Sequence, residues 1–128
     1  MPPTEVCFYQ DESDRAPVVE WLAELRRTDR QAYAKCVARI GRLAEVGHEL
    51  RRPEADYLRD GLYELRARQG HVNYRILYFF HGRNVAILAH AIIKEGEIPE
   101  ADLERALRRK ETFEHDPARH TYEEESDD

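Results

Sequence analysis

The chain has 128 residues, which is the length of one domain with a single hydrophobic core. Hydrophobic residues make up 41% of it and charged residues 36%, and no apolar run approaches the roughly 20 residues that a membrane-spanning helix needs. This composition excludes a membrane protein, and the dense blocks of aliphatic and aromatic residues argue against a disordered chain. The formal net charge of -6 by itself argues against a nucleic-acid partner.

The charge is distributed unevenly. Residues 111–128 hold eight acids and one base, which leaves 19 bases and 18 acids in the first 110 residues. Residues 50–94 hold eight bases against four acids, so the middle of the chain is basic. We therefore predict a domain over residues 1–113 and an acidic, flexible tail over residues 114–128. The tail is interpreted as a solubilising end, or alternatively as an electrostatic mask in which residues 123–128 fold back over the basic face.

Cysteine and histidine usage bears on compartment and cofactors. Cys7 and Cys36 are too few and too widely spaced for a disulfide framework, and the six histidines are scattered without the spacing of metal ligands. The N-terminus lacks the charged start and apolar stretch of a secretory signal. These features predict a cytoplasmic protein that uses neither a metal nor a cofactor.

Hydrophobic spacing predicts the elements in chain order. A short β-prone segment at 6–9 precedes two helices, which break at Thr28-Asp29 and end at Gly47, and these form an antiparallel hairpin. Residues 50–60 are predicted to be a polar connector. Period-two patterns then predict strands over 62–68, 72–80 and 84–93, followed by a helix that begins at Pro99. The predicted fold is α+β: an N-terminal strand and a helical hairpin pack on a twisted antiparallel meander, with a C-terminal helix and the other sheet face partly open.

Alternation within the strands predicts which side chains share a face. The uncharged set is the predicted core face under the hairpin: Tyr63, Leu65, Tyr74, Ile76, Tyr78, Val85, Ile87 and Ala89. The other face gathers the candidate site residues: Glu64, Arg66, Arg75, His90 and Lys94. Cations on strand interiors are costly unless they are solvated or bound to an anion, so a phosphate ligand would explain them. The alternative is a solvent face on which Glu64 and Arg75 form a cross-strand pair and His90 is a hydrogen-bonded structural histidine.

Three segments on these strands carry a family resemblance. They read GLYELR at 61–66, YRILYFF at 74–80 and ILAHAIIK at 87–94, and Ile98-Pro99 with a helix containing Glu104, Ala106 and Arg109 follows them. In this combination, residues 5–113 resemble the phage-derived, HigB-like branch of the RelE/ParE toxin superfamily. Where the family pattern has a second lysine after Lys94, this chain has Glu95. The end of this strand is therefore more acidic than in the family pattern.

The resemblance implies a RelE-like fold and the toxin of a type II toxin–antitoxin pair. RelE- and HigB-like members are mRNA interferases that enter the ribosomal A site and cut mRNA without a metal, by attack of the ribose 2′-OH on the adjacent phosphate. The implied partners are therefore a cognate antitoxin of helix-turn-helix type, the ribosome and mRNA. ParE-like members instead inhibit DNA gyrase, so a gyrase inhibitor or a catalytically decayed binding protein is the alternative.

The resemblance and the chemistry of such a cut together suggest roles for the five residues. Arg75 and Arg66 would stabilise the charge on the pentacoordinate phosphate, and Lys94 would hold phosphate or donate a proton. Arginine cannot act as an acid or base near neutral pH. Glu64 or His90 would therefore supply the general base, with histidine the better tuned to neutral pH.

Overall fold

A computed structural model describes residues 3–124, and its α-helices and β-strands follow the predicted order with one added strand. In chain order they are β1 (Glu5–Phe8), α1 (Pro17–Thr28), α2 (Arg30–Val46), β2 (Ala55–Arg59), β3 (Leu62–Gln69), β4 (Val72–His81), β5 (Val85–Ile93) and α3 (Glu100–His115). The strands form one sheet in the order β1-β5-β4-β3-β2. The pairs β2–β3, β3–β4 and β4–β5 are antiparallel, and β1 pairs parallel with β5 at one edge of the sheet. The α+β fold predicted from the sequence is confirmed.

The helical hairpin is connected through a single residue. The backbone N–H of Asp29 donates to the Leu25 carbonyl and closes α1, while its side chain accepts a hydrogen bond from the Ala32 N–H and caps α2. The break predicted at Thr28-Asp29 is therefore confirmed. Buried residues of both helices, including Val18 and Leu43, pack on one face of the sheet.

The region 50–60 differs from the prediction. We predicted a polar connector, but residues 55–59 form β2, the edge strand that pairs with β3. Ala55 is its one fully buried residue, so β2 lacks the apolar alternation that marks a half-buried strand. The strand forms because a tight turn at Asp60-Gly61, with φ of 51° and 79°, returns the chain onto β3.

A β-bulge changes which residues of β5 face the hairpin. Leu77 pairs with His90 and Tyr78 pairs with Leu88, so Ala89 is an extra residue and the alternation changes sides there. The predicted core face of β5 was therefore wrong: Ala86 and Leu88 pack under the hairpin, whereas Val85, Ile87 and Ala89 pack on the opposite side. His90 lies on the opposite side, as predicted, because it follows the bulge.

The third helix packs on that opposite face of the sheet. Phe113 contacts Phe79 with ring centroids 5.4 Å apart, and Ala106 packs with Leu62 and Leu77. The face predicted to be partly open is thus covered by α3 over these residues. It remains open at the start of the helix, where a cavity lies.

The chain after α3 returns to the N-terminal strand. The predicted domain boundary at residue 113 falls inside α3, which ends at His115. The Gln10 N–H donates to the His120 carbonyl at 2.9 Å, and the Tyr122 N–H donates to the Phe8 carbonyl at 2.8 Å. The electrostatic mask was predicted from residues 123–128. Of these, Glu123 and Glu124 lie beside Gln10 next to β1, and residues 125–128 lie outside the described residues.

Between residues 3 and 124, no helix has the length and apolarity needed to span a membrane.

Candidate active site

An open cavity of about 480 Å³ lies where β2, β3 and β4 meet the start of α3. Three predicted site residues, Glu64, Arg66 and Arg75, line it. Arg59 of β2 and Glu100 of α3 line it as well, together with the segment 96–98. The sheet supplies the cations, and the chain before α3 forms the opposite wall.

Glu64 is the buried acid of this cavity, with only 2% of its surface exposed. Its Oε1 accepts a hydrogen bond from Nε of Arg66 and lies 3.8 Å from Nε of Arg75. Arg66 and Arg75 are direct cross-strand partners. Like charges directly opposite each other in a sheet repel, so the carboxylate of Glu64 compensates for a pairing that is otherwise unfavourable.

Two arginines of the cavity have a buried donor with no acceptor. Arg75 donates from Nη1 to the Gly96 carbonyl, and Arg59 donates from Nη2 to Oε1 of Glu100. In both side chains Nε is buried and has no hydrogen-bond partner, and within the described residues these are the only buried side-chain polar atoms in that state. Buried polar atoms without partners are costly, and two of them in one cavity indicate a site arranged for an acceptor.

A chain of alternating charges fixes the position of Arg66. Oδ2 of Asp56 accepts from Nη2 of Arg66 at 3.4 Å and from Nε of Arg52 at 2.9 Å. The hydrogen bond from Arg52 is the main cause that lowers the pKa of Asp56 below its ordinary value. Asp56 is therefore ionised at neutral pH, and the guanidinium of Arg66 is held between the Asp56 and Glu64 carboxylates.

His90 lies beneath α3 and does not line the cavity. Its Nε2 is 2.7 Å from Oδ1 of Asp102, and its Nδ1 is 3.1 Å from Nη1 of Arg109, which also donates to the Ala89 carbonyl. Because a guanidinium can only donate, Nδ1 accepts and Nε2 carries the hydrogen given to Asp102. Burial lowers the pKa of His90, which favours this neutral form. The contacts of His90 thus fasten α3 to β5.

Lys94 follows the end of β5 and is exposed. Its backbone N–H donates to the Asn73 carbonyl at 3.1 Å, and the residue is not among those that line the cavity.

No group of three His, Cys, Asp or Glu side chains among residues 3–124 is placed so that it could hold a metal ion.

Residues 23–111 match the family model described as Phage derived protein Gp49-like (DUF891). The chain belongs to this family. The match begins in α1, ends in α3 and includes every residue of the cavity described above. The Gp49-like family is part of the RelE/ParE-like toxin superfamily, and membership of a toxin family implies an antitoxin partner. A comparison with curated proteins gave no match.

The structure brings together three of the five residues predicted for this Gp49-like chain. Glu64, Arg66 and Arg75 meet in the cavity, whereas His90 is engaged with α3 and Lys94 lies beyond the end of β5. The roles predicted for these residues remain predictions.

Sequence reasoning missed Arg59 and Asp56, because it interpreted residues 50–60 as a connector. A signal for them was present, since Asp60-Gly61 is the dipeptide that favours a two-residue hairpin turn. A strand that pairs with β3 would have placed Asp56 opposite Glu64, as the structure does.

Proposed function

We propose that this protein is the toxin of a type II toxin–antitoxin pair, of HigB-like type, and acts in the cytoplasm as a ribosome-dependent mRNA endoribonuclease. As in the members it resembles, the cut is made without a metal, by attack of the ribose 2′-OH on the adjacent phosphate. The observation that carries the proposal is the cross-strand pair of Arg66 and Arg75 in an open cavity, held by the buried carboxylate of Glu64.

The two guanidinium groups supply the electrostatic part of the reaction. A planar guanidinium matches phosphate oxygens, and its hydrogen bonds strengthen as negative charge develops on the phosphorane. Arg75 is held in place by burial, since only 13% of its side chain is exposed, and Arg66 is held by Glu64 and Asp56. Both groups are therefore positioned before substrate arrives, which is the condition for efficient stabilisation of a transition state.

Of the two predicted general bases, Glu64 is the one within the cavity. It lies next to both cations that would hold the scissile phosphate, so the 2′-OH of the same nucleotide would come close to its carboxylate. His90 has both ring nitrogens engaged by Asp102 and Arg109. We therefore assign the base to Glu64 and a positioning role to His90. Lys94, exposed at the end of β5, contacts RNA phosphate from outside the cavity.

The test is cleavage of a defined mRNA on translating ribosomes reconstituted from purified components. Attack by the 2′-OH leaves a 2′,3′-cyclic phosphate and a 5′-OH, and end-specific ligation identifies both. Arg75→Ala is expected to lower the single-turnover rate by about 10²–10³-fold, the usual effect of removing one positioned donor. The matched control is Arg83→Ala, which removes an exposed arginine in the turn after β4 and is expected to leave the rate unchanged.

Two outcomes would contradict the proposal. Wild-type protein that leaves mRNA intact on ribosomes but blocks supercoiling by gyrase would identify the ParE-like alternative. Cleavage by Arg75→Ala at the wild-type rate would place the active site elsewhere. The base assignment fails separately if His90→Gln, folded at pH 8, abolishes cleavage.

A further inference from the structure

The segment 95–100 forms the wall of the cavity that faces the sheet cations. We infer that this segment, which we name the acidic gate, occupies the phosphate site in the free protein and is displaced when RNA binds. The inference rests on the proposed function and adds two things to it: regulation of the site, and Arg59 as a third cation for phosphate.

The acidic gate holds two of the cavity's arginines. Its Gly96 carbonyl accepts from Nη1 of Arg75, and its Glu100 carboxylate accepts from Nη2 of Arg59. Glu97 also lines the cavity. Three acids within six residues (Glu95, Glu97 and Glu100) thus lie on a segment that faces three arginines on the sheet. The gate has the charge of the ligand that the proposed function requires.

The gate satisfies these arginines poorly, which leaves room for a better acceptor. Nε of Arg75 and Nε of Arg59 are both buried without a hydrogen-bond partner while the gate is in place, although Glu64 lies 3.8 Å from the former. A carbonyl is a neutral acceptor, whereas a phosphate offers several charged oxygens that can accept from Nε and Nη together. Exchange of the Gly96 carbonyl for a phosphate would therefore strengthen the hydrogen bonds of Arg75.

The loop part of the gate can move without moving α3, whose first residue is Glu100. Residues 95–99 belong to no helix or strand, residues 94–97 are exposed, and Gly96 has a φ of 74°, in the left-handed region that favours glycine. Two residues after Glu100, Asp102 is tied to His90 on β5. The Pro99 carbonyl accepts from the N–H groups of Asp102 and Leu103 in the first turn of α3. Displacement is thus confined to the loop before Pro99 and to the side chain of Glu100, while the backbone of α3 stays on the sheet.

The test is an NMR titration with a 2′-O-methylated RNA trinucleotide, which binds but cannot be cut, so that the result does not depend on cleavage. Signals of the arginine Nε–Hε groups report directly on Arg59 and Arg75. In wild-type protein both signals are expected to shift as RNA is added. Glu100→Gln is expected to tighten binding by about twofold to fivefold, the range typical of one partly exposed ion pair.

Matched variants separate displacement of the gate from a general change of charge. Glu114→Gln removes the same charge from an ion pair with Lys110 at the far end of α3, with similar exposure, and is expected to leave the affinity unchanged. Adding Arg59→Ala to Glu100→Gln is expected to abolish the gain. Glu97→Gln, in the loop outside α3, provides a second test if Glu100→Gln does not fold.

The outcomes distinguish this inference from the proposed function. If Arg75 responds to RNA but Glu100→Gln and Glu97→Gln bind no tighter than Glu114→Gln, the gate is refuted and the proposed function stands. If Arg66 and Arg75 do not respond in any variant and ribosome-bound mRNA is not cut, the proposed function fails, and the inference fails with it.

Discussion

Arg66 and Arg75 face each other as direct partners across β3 and β4, on the interior of the sheet. One carboxylate, that of Glu64, hydrogen-bonds the first and lies 3.8 Å from Nε of the second. Two cations directly opposite each other in a sheet repel and destabilise the fold, and the carboxylate of Glu64 offsets this repulsion. Departures from local rules of this kind are typical of functional sites.

Removing the charge of Glu64 is expected to destabilise the fold. In Glu64→Gln, buried Arg75 loses the carboxylate of Glu64 while it still faces Arg66, which keeps Asp56 as its partner. The free energy of unfolding should therefore fall by about 2–4 kcal/mol. The value lies below that for a fully buried pair because Arg66 is 37% exposed. Urea unfolding measures the loss, and Glu24→Gln, which breaks an exposed pair with Arg27, is the control with no expected change. Equal stability of Glu64→Gln and wild type would refute the compensating role.

Replacing Arg75 by a long apolar residue is expected to separate stability from activity. Arg75→Met keeps the packed hydrocarbon but removes both the facing cation and the buried Nε that lacks a partner. The free energy of unfolding should stay equal or rise by about 1 kcal/mol, because apolar replacements of buried charges are often neutral or stabilising. Cleavage on ribosomes should be lost. Melting curves check the expected stability and the cleavage assay checks the expected loss of activity, both on one preparation. A large fall in melting temperature would show that Arg75 is structural.

The sequence allowed the fold to be predicted where its patterns are strong and local. The helical hairpin followed from apolar spacing and the Asp29 break, and β3 and β4 followed from alternation in long strands. The faces of β5 could not be assigned correctly, because alternation assumes a regular register. One extra residue at Ala89 exchanges the two faces, and nothing in an apolar run such as ILAHAII marks where a bulge lies.

The candidate site could be predicted to the extent that it lies on one regular face. Glu64 and Arg66 alternate on β3, and Arg75 is on the same face of the neighbouring strand, so the sequence pattern sufficed for these three residues. It could not place Arg59, whose approach depends on the long-range pairing of β2 with β3, or the Gly96 carbonyl, which is a backbone atom. The extra acid at Glu95 was evident in the sequence, but the cavity that its segment closes became evident only in three dimensions.

The segment after α3 is expected to contribute to stability, contrary to its interpretation as a flexible tail. A chain that ends at His115 loses His120, which stacks on buried Tyr9 with centroids 5.8 Å apart, and loses the hydrogen bonds to Phe8 and Gln10. Uncovering these rings should cost about 2–3 kcal/mol. Thermal melting of chains ending at His115 and at Glu124 measures the difference, with the longer one expected to match the full chain. Equal melting temperatures for the two truncations would instead support a domain that ends with α3.

The burial and contacts of His90 are expected to make stability fall as the pH drops below about 7. Burial is the main cause that lowers its pKa below 6.5, and Arg109 adds to this while the hydrogen bond with Asp102 opposes it. The unfolded chain therefore takes up a proton at a higher pH than the folded chain does. Stability from this group is complete above pH 6.5 and declines as the pH falls towards the lower folded pKa.

Urea unfolding of wild type and His90→Gln at pH 8, 7, 6 and 5 tests this dependence. The variant loses hydrogen bonds and should be less stable at pH 8, but its free energy of unfolding should fall less steeply between pH 7 and 5. Carboxylates with lowered pKa, such as Glu54 and Asp56, are present in both proteins, so the difference between the two profiles reports on His90. His71→Gln, in an exposed turn, is the control and should follow the wild-type slope. If the profiles of His90→Gln and wild type run parallel, the pKa of His90 is the same in the folded and unfolded chains, and its lowering by burial is wrong. If the stability that wild type has over the variant instead falls as the pH rises, His90 is protonated in the fold, and the neutral tautomer assigned from its contacts with Asp102 and Arg109 is wrong.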